Sequence, residues 1–124
     1  MFFYLVITGL LFVIVGLRAL FKPIEAIAIP YSLNGNNTDA RNYLRSAGGG
    51  VAIVAGGVMM AGAFIPLLTL SGAMTAVTIL GGLVFGRLVS VALDGNPGIV
   101  PWISGAFELL GLVSGAYWLK FYLS

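Results

Sequence analysis

The sequence predicts an all-α integral membrane protein, a four-helix bundle, and three observations predict it. Of its 124 residues, 60% are hydrophobic and only 8% are charged, where an average soluble domain carries roughly 25% charged residues. The apolar residues gather into four runs, each long enough to cross a hydrocarbon core about 30 Å thick. Between the runs stand clusters of proline, glycine and asparagine, the residues that punctuate helices. Spans are expected at about 2–21, 46–68, 73–93 and 102–123 of a single domain covering 1–124, with one long polar loop at 22–45.

The composition also excludes several functions. A net charge of +2 is too small and too scattered to form a nucleic-acid surface. Without cysteine there is neither a disulfide framework nor thiolate chemistry, and without histidine the commonest metal ligand and general base are missing. No metal site, no cofactor and no catalytic set of recognised type is therefore expected, and a non-catalytic role is favoured over an enzyme.

Phe2 to Phe21 has no charge before Arg18 and no basic residue at its start. It reads as a retained transmembrane helix rather than a cleaved signal peptide. Gly9 and Gly16 share a face on which a neighbouring helix could approach closely. Lys22-Pro23 ends this helix. The apolar stretch Pro23 to Pro30 is too short to span, so it is expected to lie at the interface or to fold over the mouth of the bundle. Asn34-Gly35 is a turn signal, and Asp39 is a candidate N-cap for the helix that follows.

In the second span Gly48, Ala52 and Gly56 repeat every four residues as a packing ridge, and Pro66 stands near its far end. The uncharged stretch Thr69-Leu70-Ser71-Gly72 is expected to be a short hairpin. The third span carries Gly82 and Gly86 in GxxxG spacing, then Arg87, Ser90 and Asp94 on one face. Asp94-Gly95-Asn96-Pro97-Gly98 is a dense turn signal, and Trp102 opens the fourth span. On that span Ser104, Glu108, Gly111 and Gly115 form one stripe. Tyr117, Trp118, Lys120 and Tyr122 end it as an interfacial belt.

Depth makes these scattered charges a constellation. Arg87 lies roughly 10 Å inward from Asp94, and Glu108 roughly 9 Å inward from Trp102, at about 1.5 Å per residue. Both spans meet at the same loop, so an Arg87–Glu108 ion pair between antiparallel neighbours is expected. Arg18 and Arg45 belong to the same membrane face. A charge in hydrocarbon costs about 2.5 to 3.5 kcal/mol on insertion scales, so it is expected to face the protein interior and to have a partner.

Several readings of the cluster compete. Arg87 and Glu108 could be a structural clasp that keeps the helices in register. Alternatively Arg45, Arg87, Ser90, Asp94 and Glu108 line a buried polar site that binds the head group of a small lipid-like amphiphile. Proton relay by Glu108 is a narrower version, and an isomerase acting on a lipid is a third class. A non-catalytic accessory or assembly subunit of a larger membrane complex, packing through its glycine pairs, is the rival to the binding protein. A homo-oligomer is a further expectation from those same glycines.

Arg45 followed by Gly48-Gly49, then Gly86-Arg87 with Ser90 and Asp94-Gly95, then Glu108 on the last helix, resembles a small four-helix bacterial inner-membrane family. That family is known only as domain of unknown function 4345 and is loosely similar to DoxX-like proteins. The resemblance implies a four-helix bundle and a shared polar set at Arg45, Arg87, Asp94 and Glu108. It supplies no reaction. The chain departs from the pattern in its asparagine-rich stretch Asn34 to Asn37 and in having no glutamate in the turn before Arg45. A multi-pass protein of the inner (plasma) membrane, in contact with membrane lipids, is expected. Arg18, Lys22 and Arg41 outnumber Lys120, which puts both larger loops in the cytoplasm and the termini outside.

Overall fold

The computed structural model describes residues 1–34 and 36–124. The Asn34-Gly35 turn signal falls partly outside the described residues. The fold is all-α, with four helices long and apolar enough to cross a membrane: α1 Phe2–Phe21, α2 Thr38–Phe64, α3 Pro66–Asp94 and α4 Ile99–Leu123. Its exterior is strongly apolar, as for a protein whose solvent is lipid. Phe3, Phe85, Phe107 and Leu110 are among the many large side chains left exposed.

α1 and α2 are antiparallel and meet through glycine. A Cβ on Gly56 would stand 2.6 Å from the Gly9 carbonyl, and one on Gly16 would stand 2.8 Å from the Gly49 carbonyl. Both pairs are spaced seven residues apart along each helix, so the two backbones touch over about two turns. The ridge that α2 turns toward α1 is thus Gly49/Ile53/Gly56 rather than Gly48/Ala52/Gly56. Gly48 faces Ile27 of the loop instead.

The start of α2 lies earlier than expected, because Asn37 rather than Asp39 caps it. The Asn37 Oδ1 accepts a 2.7 Å hydrogen bond from the Ala40 N–H, which satisfies one of the free donors of the first turn. Within α2 the stretch Leu44–Gly50 widens into a π-type turn. At the other end the turn falls at Ile65, not at Thr69 to Gly72. Proline forces its predecessor out of the helical region, and Ile65 is extended at φ −114°, ψ 107°. Pro66 then opens the next helix, where a missing N–H costs nothing. Thr69 to Gly72 are helical, and the Thr69 hydroxyl donates to the Gly62 carbonyl at 2.7 Å across the turn.

α3 ends at Gly95, whose φ of +86° is a conformation open to glycine. α4 begins at Ile99, with Pro101 inside its first turn. The main core gathers Tyr4 and Leu5 of α1, Ala55 and Met59 of α2, and Ala73 and Ala76 of α3. It lies in the half of the bundle farther from the long loop. α4 joins this half by one polar contact, as the Tyr4 hydroxyl donates to the Gly111 carbonyl at 2.8 Å. No residue from Gly81 to Leu110, the loop-side half of α3 and α4, is buried.

Candidate functional site

The loop-side half of α3 and α4 holds the chain's polar centre. Arg87 on α3 meets Glu108 on α4 in a bidentate arrangement: Nε donates to Oε2 at 2.6 Å and Nη2 donates to Oε1 at 2.7 Å. The planar guanidinium matches the carboxylate fork, so one rotamer of each side chain serves both bonds. Gly105 makes this approach feasible. It lies three residues before Glu108, and a Cβ there would be 3.2 Å from Arg87 Cδ.

A third element completes the centre. After Lys22 the chain makes one helical turn, Ile24–Ala28, that packs Ala28 inward. It then carries Tyr31 across to α3 and α4. The Tyr31 hydroxyl donates to Ser104 Oγ at 2.6 Å and receives Arg87 Nη2 at 3.3 Å. The Arg87 Cζ also lies 5.8 Å from the centre of the Tyr31 ring, within cation–π range. Ser104 is one turn before Glu108 and shares its face. Loop, α3 and α4 are therefore joined by a chain of four side chains.

The expected burial is not met. No charged residue among those described is buried, and the Arg87 and Glu108 side chains are 28% and 15% exposed. The cause is geometric: Tyr31 covers one side of the pair, while the other opens into a groove. That groove, about 470 Å³, runs between α3 and α4 and is lined by Arg87 and Ser90 among apolar side chains such as Leu88, Val91, Trp102 and Leu109.

Of the five residues expected to share one pocket, the structure joins Arg87 to Glu108 and sets Ser90 along the groove that Arg87 lines. Asp94 is exposed at the end of α3, apart from the pair. Arg45 lies elsewhere too: its Nε donates to the Leu20 carbonyl at 2.8 Å, satisfying one of the unpaired carbonyls at the end of α1 with a cation at the negative pole of the helix. Tyr31 is not among the residues the sequence singles out, and Ser104 stands there only as part of a stripe with Glu108, Gly111 and Gly115. A tyrosine directly after Pro30, the one aromatic between Lys22 and Asn37, is the available signal.

Chemically, the centre offers a neutralised ion pair, two hydroxyls and one flank of apolar groove. No cluster of side chains suited to a metal ion occurs among the described residues. A family model described as a domain of unknown function, DUF4345, matches residues 1–119, and the chain belongs to that family. No curated protein and no solved structure matches.

Proposed function

We propose that this member of the DUF4345 family binds a small amphiphile through the α3–α4 groove, with a neutral polar head group at Arg87 and Ser90 and an apolar tail along Leu88 and Leu109. The observation that supports this reading is the continuity of the two surfaces. Arg87 takes part in the polar chain and also lines the apolar groove. Ligand sites commonly combine such a mostly apolar hollow with a few converging polar groups. Because Glu108 already neutralises the guanidinium, the site favours a hydroxyl- or carbonyl-bearing head over a second anion. On this reading the pair lies in the membrane, where hydrocarbon gives way to head groups, and the Tyr31 strap closes its loop side.

A second reading draws on a separate observation. A Cβ on Gly82 or Gly86 would meet nothing within 4 Å, so α3 presents a flat surface suited to another transmembrane helix. This supports an accessory subunit of a larger complex, or a homo-oligomer. Native mass spectrometry of the protein extracted with its own lipids separates the two. Ala106 of α4 also lines the groove, and a reproducible small adduct, lost when Ala106→Phe fills it, supports the binding protein. A bare chain that co-purifies with a larger protein, or as a dimer, supports the subunit and refutes the groove.

A further inference from the structure

A second hollow, of about 480 Å³, lies where α1 ends and α2 begins, on a different helix pair from the groove. Its wall carries two guanidiniums, Arg41 and Arg45, and no carboxylate, with Thr38, Asn42 and Ser46 as further polar groups. We propose that this hollow binds a phosphate group, and that its source is the head group of an anionic membrane lipid.

Three features support the assignment. The first is that both arginines are held from behind. Arg41 Nη1 donates to Asn36 Oδ1 at 2.7 Å and Arg45 Nε donates to the Leu20 carbonyl at 2.8 Å. Each contact uses one nitrogen and leaves the remaining N–H groups of a rigid fork for an oxyanion, the geometry that suits arginine to phosphate.

The second is level. α2 has 27 residues and is therefore about 40 Å long, roughly 10 Å more than the hydrocarbon core. Its polar residues all precede Ala47, so the excess length lies at this end and sets the hollow in the head-group layer. Basic pockets between transmembrane helices at that level take anionic head groups.

The third is space. Gly50 lines the hollow, and a Cβ there would meet only the Arg45 carbonyl at 3.7 Å, an ordinary contact. The floor is open because this position has no side chain. Gly50 is also helical, with φ −59°, so a larger residue there fills the hollow without backbone strain.

The test uses the full chain purified in a non-ionic detergent, mixed with equal amounts of phosphatidylglycerol and phosphatidylcholine of matched chain length, and read by native mass spectrometry. The phosphatidylglycerol adduct should dominate. Arg41→Gln, which removes a charge and little packing, should lower that preference about fivefold, the share of one arginine at a membrane surface. Gly50→Leu should bring the two lipids to parity while helicity is unchanged.

Inorganic phosphate without lipid is the second arm. A rise in melting temperature that Gly50→Leu abolishes, with no lipid preference, keeps the phosphate site but assigns it to the free anion. A phosphatidylglycerol preference that survives both substitutions overturns the proposal, as does the absence of any response to either probe. If Gly50→Leu fails to fold, Arg41→Gln decides alone.

Discussion

Two regions of this bundle are held together by different means. Along α1 and α2, glycine carbonyls sit where side chains would otherwise be, and Gly9, Gly16, Gly49 and Gly56 are all buried. Along the loop-side half of α3 and α4 nothing is buried; the two helices are joined by the Arg87–Glu108 pair, and the loop is tied to α4 by the Tyr31–Ser104 hydrogen bond. Among lipid tails the hydrophobic effect does not distinguish protein from solvent, so close van der Waals packing and interhelical polar contacts are the available means. Where backbone packs on backbone, from Gly9/Gly56 to Gly16/Gly49, no space is left, and the hollow on this helix pair begins beyond that contact, at Leu20 and Gly50. Contact through long polar side chains leaves a groove beside it.

The largest expected effect tests the packed region. Gly56→Ala puts a methyl 2.6 Å from the Gly9 carbonyl, so the helices must separate, at a cost of about 1 to 3 kcal/mol. A detergent melting midpoint at the wild-type value would show that the α1–α2 contact is not what supports the fold. Next comes the polar region. Arg87→Leu leaves Glu108 partly buried without a partner, and should destabilise by about 1 to 2 kcal/mol, more than Arg87→Leu combined with Glu108→Leu. A double variant less stable than the single would show that the two side chains act independently. The smallest effect sharpens the contrast. Gly86→Ala adds a methyl to open space and should raise stability by at most about 1 kcal/mol, the helix-propensity difference. A loss instead would mean that a partner covers this face.

How far the sequence reveals these regions follows from the same physics. The four helices are legible because length and apolarity alone decide whether a segment can cross a bilayer. Arg87 and Glu108 are legible as partners because two antiparallel helices joined by a short turn fix the relative depth of their side chains. The turn after α2 is read too late by the small polar residues Thr69 to Gly72, although Pro66 constrains the backbone more strongly than they do. Burial is the least legible property. A helix that is apolar all round does not encode which side faces protein, so a covered Arg87 could not be distinguished from one beside a groove. Nor does periodicity trace the path of a loop, so the reach of Tyr31 over the ion pair is visible only in three dimensions. Arg45 is an intermediate case: α1 must end with unpaired carbonyls, and a basic residue near the start of the next span is a natural group to meet them.

The Tyr4–Gly111 hydrogen bond has a consequence for biogenesis. Its donor lies in the first turn of α1 and its acceptor at the middle of α4, 107 positions later in the chain. During synthesis that phenol therefore waits while two further helices, α2 and α3, are made before the helix that carries its acceptor. The contact acts as a latch that fastens only once α4 is in place, so a chain halted before α4 lacks it.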